Sequence, residues 1–581
     1  MGETNKHPTS LPRPCPSYSD FFSPEERCRV HFRKVKFTES IPGPLLAPSE
    51  WGKPDDEPES EPKRIAIIGG GISGLAAYWA LRKTIHHIDL FEQTNDVGTL
   101  TQPIFSGTQR NAIYIDKSFI NFVPKASPNL MNFIATLRIP LTSAPCSFSV
   151  SKTNNGKRFD MRFQSREVSA LRWSDWLALD TWKLWFDVLK FHYFSIDYLG
   201  RRRGDRVQFQ TLIEDGLSIE WTVGDYLDRT RCSRIFIENY LLPMVQIAWN
   251  IQSEEDLREI SIQRLVSFLW ASGFLGPRAQ VSIIDPEHGA EHRIKERIPL
   301  HRSNKAIHLH SRVVSVANMT DKGRSKLCVT TCSDTKLFFD YVIFAISPEE
   351  ALRLLSDGAT EKERQILGVF KTTKIDAWLH SDPRFVLPEQ TLTYMNWADH
   401  TVFPPGNFNP VCVTYRLEAF PKKVCRKNPL CVTLNPVIYP DALKTVARWK
   451  HRRPLINAQT LNARKKLGEI QNVKGRNILF CGPWTGYGLH EDGVRSAFQL
   501  AMEHFGAKLP FKFVDSYVKY AATPSLSIWD RLIRALLRVI DALISMLRSI
   551  SSCVKAIPVV TSRKYRVVTS RLIERYPPVS C

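Results

Sequence analysis

Apolar residues cluster in RIAIIGG (64–70), recur through ISGLAAYWALRK (72–83) and resume in HIDLFE (87–92). A buried strand, a helix and a second strand are predicted, which together make a βαβ unit of about 30 residues. It is the one clear unit of its kind in the sequence. Further apolar runs predict strands in DYVIFAI (340–346) and RNILFCG (476–482), and VCVTYRL (411–417) with LCVTLNPV (430–437) reads as part of a sheet. Between the two halves, residues 170–200 carry Trp173, Trp176, Trp182, Trp185 and Phe186 at largely helical spacing. A core helix is expected there, since an apolar stripe normally faces the interior.

The two ends of the chain follow neither pattern. Residues 1–62 are proline-rich and close on the acidic stretch KPDDEPESEPK. Such a composition buries little and predicts a flexible leader, with the folded body over 63–510. No apolar stretch of signal-peptide length opens the chain, and Lys6 stands where a myristoylation signal needs Ser or Thr. At the other end, 521–581 forms a basic tail. Within it, residues 526–556 place Asp530, Arg534, Arg538, Asp541, Ser545, Arg548, Ser552 and Lys555 on one narrow helical face, with apolar residues over most of the rest. That many charges oppose a spanning segment, so a helix lying in a membrane interface is expected. The alternative is a helix packed on the body.

Composition narrows the setting. With 581 residues, 43% hydrophobic, the chain can bury a large core. Its net charge of +21 points to an anionic partner, whether a membrane surface, a nucleic acid or an acidic substrate, and charge alone does not choose among them. Peripheral attachment to an intracellular membrane is the expectation drawn from the tail. The basic clusters RRRGDR (201–206) and WKHRRP (449–454) show no nucleic-acid signature and read as solvated loop charge. Twelve cysteines lack CxxC pairing and zinc spacing, so reduced thiols, a cytoplasmic setting and no metal are expected.

Chemistry enters at the first βα turn. In GGGISG, Gly69, Gly71 and Gly74 satisfy G-x-G-x-x-G. Gly69 makes the turn, Gly71 lets backbone N–H groups approach a pyrophosphate, and Gly74 lets the helix pack on its strand. Glu92 follows 18 residues after Gly74, at the end of the next strand, where a carboxylate can bond a ribose diol. NAD and FAD both fit such a unit. A second strand-to-helix junction, ILFCGPWTGYGLHEDGVRSAFQLA (478–501), favours a flavin. There Gly482 ends the strand, and the amides of Asp492, Gly493 and Val494 are placed to meet the ring's pyrimidine edge at a positive helix end.

These segments, with DKSFINF (116–122), YLLPMVQIAWN (240–250), LHSD (379–382) and VTLNP (432–436), resemble the FAD-dependent amine-oxidase-like superfamily over about residues 63–510. The resemblance implies an α/β fold: a Rossmann-like FAD-binding domain from about 63–125, 300–355 and 470–510, with an α+β substrate domain inserted between its segments. It also implies that Val313 faces the adenine through its backbone. Three departures accompany it. Asp96 and Thr99 replace the arginine and glycine usual near the pyrophosphate, Ser118 replaces a ring-side glycine, and EHGAEH (287–292) replaces a glycine pair.

Beside the ring, Trp484, Tyr487 and His490 are the catalytic candidates, with His490 a potential acid or base near neutral pH. Glu491 and Asp492 are read as ribityl ligands or helix-capping carboxylates. The function expected is hydride transfer from an apolar small molecule, a lipid or secondary metabolite, to FAD. The alternatives are an isomerising flavoprotein, or a degenerate member acting as a membrane-associated interaction protein.

Overall fold

A computed structural model describes residues 61–97, 123–139, 141–145, 147–154, 157–164, 167–170, 177–199, 221–275, 297–298, 304–321, 324–385, 411–417, 430–515 and 526–547. It also describes short strands at 102–105, 112–115, 280–284 and 395–398. Thr99, Ser118, Trp173, Trp176, the 287–292 segment, nearly all of the expected leader and the tail beyond 547 lie outside the described residues.

The predicted βαβ unit forms as Arg64–Ile68, Ile72–Leu81 and His87–Phe91. It is the heart of a five-stranded parallel sheet in the order Lys305–His308, His87–Phe91, Arg64–Ile68, Tyr341–Phe344, Ile478–Phe480. Both faces of this sheet are covered, which is why its strands read as near-continuous apolar runs. On one face the helices Ile72–Leu81 and His490–Phe505 lie side by side, sharing a core with Leu75, Ala76, Val494 and Phe498. On the other, a three-stranded antiparallel sheet and the segment 348–370 pack against Ala66, Ile68 and Phe344.

A second layer is an eight-stranded mixed sheet running from Thr445–Pro454 at one edge to Glu167–Ala170 at the other. The two expected strands become neighbours here, Cys412–Arg416 pairing antiparallel with Cys431–Leu434. Helices from 179–194 and 223–271 close over this sheet around Phe148, Phe191, Trp249 and Phe268. The aromatic segment forms the helix Leu179–Phe194, whose inward face is Leu184, Val188 and Phe191, while Trp182 is half exposed.

One expectation is overturned. The WKHRRP cluster is not a loop but the outer half of an edge strand, Thr445–Pro454, paired antiparallel with Thr372–His380. A strand alternates its side chains, so Arg448, Lys450 and Arg452 face out while Trp449, His451 and Arg453 face in. The charge pattern hides that alternation, because two of the three inward residues are themselves polar.

Candidate functional site

The first corner is set by backbone geometry. Gly69 has φ 104°, where a side chain is strained, and a Cβ there would lie 2.8 Å from the Ala345 carbonyl oxygen. At Gly74 a Cβ would stand 1.9 Å from the Gly69 carbonyl oxygen, so the helix packs on the turn only because that atom is missing. Gly71 differs: a Cβ there would meet nothing within 4 Å. Its position as N-cap leaves the helix start without a side-chain cap, and no acidic residue occupies the first turn. Open space faces a run of uncapped N–H groups at a positive helix end, which is an anion cradle.

Ser73, the second residue of this helix, is 3% exposed, and its hydroxyl has no hydrogen-bond partner. A buried polar atom without a partner is costly and calls for a ligand. The second corner arrives at that same atom, since a Cβ on Gly493 would lie 2.5 Å from Ser73 Oγ. The two glycine corners, about 400 residues apart in sequence, therefore touch. A single dinucleotide can lie across both.

Glu92 is buried at the end of its strand. Its Oε2 accepts the Gly70 N–H at 2.7 Å, and its Oε1 accepts the N–H and hydroxyl of Thr94, each at 2.9 Å. A carboxylate has about four acceptor sites, so room for a ribose hydroxyl remains on Oε2. The segment before Val313 lies alongside, with Ser311 N–H donating to the Glu92 carbonyl at 2.8 Å and His310 N–H to that of Thr94 at 2.9 Å. Asp96 turns its Oδ1 onto the N–H of Val97 at 2.9 Å, closing its own turn.

At the second corner, Gly482 donates to Ser496 Oγ at 3.1 Å, bracing the strand end against the helix. Asp492 accepts the N–H groups of Tyr487 and Leu489 at 2.8 and 3.0 Å, and burial raises its pKa against the pull of Arg495 and Arg464. Glu491 reaches across to the start of the helix Pro128–Thr136, where it accepts the N–H groups of Asn129 and Leu130 and the Asn129 amide at 2.7–3.1 Å. Burial pushes its pKa up to about 8 while those donors pull the other way. Both acids thus act as capping carboxylates. The amides of Asp492 and Gly493 are aimed at the Leu489 carbonyl, at 3.0 and 3.3 Å, and close the first helical turn instead of facing outward. Val494 is fully buried between the two helices.

The catalytic candidates separate. Trp484 turns away, donating to the Ile346 carbonyl at 3.1 Å and packing edge-on to Phe370. Tyr487 stacks on Trp249 with ring centroids 4.3 Å apart. His490 alone of the three lines a cavity of about 240 Å³ between this loop and the eight-stranded sheet. Burial first, then Arg453 and His451, push its pKa down to about 3. It is neutral at physiological pH and does not titrate near 7, contrary to the sequence expectation, because its site is desolvated and already holds a cation.

The rest of the cavity wall is mainly apolar, with Phe148, Met244, Ile247, Phe268, Met395 and Leu434. Sequence reasoning missed Ser73, His451 and Arg453. Ser73 was legible as the hydroxyl inside the glycine turn, and the other two as every second residue of a strand.

A family model for an NAD(P)-binding Rossmann-like domain matches residues 67–137. A comparison with curated proteins finds no match. Among solved structures, the chain is similar to a fatty acid isomerase from P. acnes, at 13% identity and TM-score 0.51 over 77% of this chain and 99% of that one. It is likewise similar to a redesigned putrescine oxidase, at 13% identity and TM-score 0.51 over 76% of this chain and 99% of that one. The chain therefore shares the fold of these two proteins, a parallel-sheet Rossmann-like domain joined to a mixed-sheet domain.

Proposed function

We propose that this chain is an FAD-dependent oxidoreductase that oxidises or dehydrogenates an apolar small molecule, a lipid or secondary metabolite. The observation that carries the reading is the unpartnered Ser73 hydroxyl where the two glycine corners meet, beside the open space at Gly71. Those residues fit a pyrophosphate and Glu92 a ribose, and the cavity at His490 opens beside the second corner, where a substrate would meet the ring. When bound, FAD supplies the acceptor for a hydride from a substrate C–H bond. The protein's own part is alignment: apolar walls exclude water, and neutral His490 lines the chamber beside them. In the test, purified protein is loaded with FAD, its visible spectrum is recorded, and candidate substrates are added without oxygen. Failure to take up FAD would refute the reading.

A redox-neutral isomerisation is the second reading, favoured by the fold shared with a fatty acid isomerase. Product formation without lasting flavin bleaching separates the two.

We also propose that the enzyme works at an anionic membrane surface through the helix at 528–547. This helix is docked by its polar face: Arg534 donates to the Tyr193 carbonyl at 2.6 and 2.9 Å and pairs with Asp197, and Asp541 pairs with Lys190 at 3.0 Å. Its apolar residues are left outward, with Trp529, Leu532, Leu536, Val539, Leu543 and Met546 each more than half exposed. The pairings set it antiparallel to Leu179–Phe194, whose own N-terminal end carries the exposed Leu177, Leu179 and Trp182. The following residues, 548–581, hold seven Lys and Arg against one Glu, the complement of an anionic leaflet. Among the described residues no helix is long and apolar enough to cross a membrane.

A further inference from the structure

The inward face of the edge strand Thr445–Pro454 brings a cation into the apolar cavity. On the outward face both arginines have counter-charges: Arg448 pairs with Asp376 at 2.7 Å and Arg452 with Glu349 at 3.0 Å. Arg453, next after Arg452 in sequence, lines the cavity with no carboxylate partner among the described residues. Among the described residues its side chain makes one hydrogen bond, to the Ala248 carbonyl at 3.5 Å, the outer limit of such a contact. Next to it on the same face, His451 also lines the cavity, and its Nδ1 is buried without a partner. The only acid in the cavity wall among the described residues, Glu491, is committed to Asn129 and Leu130. Burial pushes the Arg453 guanidinium below its usual pKa and holds His451 at about 4. Arg452 also borders the cavity but is paired with Glu349, so among the described residues Arg453 is the wall cation without a counter-charge.

A guanidinium in an apolar chamber without a counter-charge is unfavourable unless something brings the anion. We propose that the cavity binds an apolar monocarboxylic acid, its carboxylate on Arg453 and His451 and its chain among Phe148, Met244, Phe268 and Leu434. One cation matches one negative charge, whereas a phosphate dianion would leave a net charge buried. Arg453 presents a planar fork suited to two carboxylate oxygens, and His451 adds a neutral ring nitrogen. This inference rests on the function proposed above and names the class of its substrate.

The test uses three probes with one skeleton, decanoate, methyl decanoate and decylamine, on the full chain. Binding is read by the visible spectrum of FAD-loaded protein and by tryptophan fluorescence of FAD-free protein. Decanoate is expected to bind at least roughly tenfold more tightly than the ester or the amine, since a hydrogen bond to a charged group is worth about that factor or more. Arg453→Met should weaken decanoate by roughly 30-fold while leaving the ester and FAD affinities unchanged, and Arg453→Lys should recover part of the loss. Unchanged ester binding also reports that the variant is folded. Equal affinity for acid and ester, or an Arg453→Met protein that keeps full decanoate affinity, would overturn the proposal. So would a loss of FAD affinity in that variant, which would assign the guanidinium to the flavin. If the wild type takes up no FAD, the oxidoreductase reading fails while the fluorescence comparison still decides the carboxylate site.

Discussion

Gly71 and Gly74 stand three residues apart in one turn, and the structure assigns them opposite consequences when each gains a methyl group. Gly71 has φ −68° and ψ −175°, extended backbone that alanine adopts readily, and its added Cβ meets nothing. Gly71→Ala should therefore leave the FAD-free protein intact, or stabilise it by about 0.4–1 kcal/mol by restricting the unfolded chain. Its methyl group would occupy the opening through which a phosphate reaches the helix N–H groups. Losing two charge-assisted hydrogen bonds, at about 1.5–3 kcal/mol each, amounts to about 3–6 kcal/mol, or roughly 10²- to 10⁴-fold in FAD affinity. Gly74→Ala acts on the fold. Its Cβ would stand 1.9 Å from one backbone oxygen and 3.0 Å from the adjoining carbonyl carbon of Gly69, with no flexible side chain to yield. The helix must shift, at a cost of about 1–3 kcal/mol or more. Thermal melting of FAD-free protein and a fluorescence titration with FAD measure the two effects separately. A Gly71→Ala protein that binds FAD as the wild type does would refute the placement of the phosphates at this turn.

Ser73→Ala should weaken FAD by roughly tenfold in the titration while leaving the melting temperature of the FAD-free protein unchanged or raised, because it removes a hydroxyl with no partner. His490, with its pKa pushed down to about 3, refuses a proton that the unfolded chain accepts near pH 6.5, so its contribution to stability falls as pH drops through that window. Between pH 6.5 and 5 the loss is about 1–2 kcal/mol. Glu491, raised to about 8, acts with the opposite sign between pH 8 and 4.5, so denaturant titrations of His490→Gln against wild type isolate the histidine, whose removal should flatten the acid limb. Leu536→Glu with Leu543→Glu should abolish sedimentation with phosphatidylserine-containing vesicles without lowering FAD affinity, since both residues lie on the outward face; sedimentation equal to wild type would sink the membrane assignment.

What could be read from the sequence was whatever local constraint imposes. The glycine spacing, the apolar runs at 341–344 and 478–480 and the acidic strand end at Glu92 are each fixed within a few residues, and all formed as expected. What depends on direction was not legible. Trp484 sits in the loop where a ring neighbour is sought, yet the Ile346 carbonyl draws its indole to the other side. In the tail the narrow charged face was plain, but the helix at 528–547 docks by that face because Asp197 and Lys190 await it on the Leu179–Phe194 helix. The order of the parallel sheet, with Lys305–His308 at its edge, rests on contacts more than 200 residues apart.

The electrostatics of the cavity then discriminate where the fold does not. An amine bound as its ammonium within about 4 Å of Arg453 would be repelled by about 4 kcal/mol at the effective dielectric of a partly wet site, close to a factor of 10³. His451 and His490 cannot relieve this, since both stay neutral to well below physiological pH. Glu491 cannot either, because its oxygens are held by the helix at Pro128–Thr136. Reversing the preference would need an acid on the inward face of the edge strand, at 451 or 453, where this chain has a histidine and an arginine. The choice between a cationic and an anionic substrate is thus made by the alternation of one strand, and the glycine corners have no part in it.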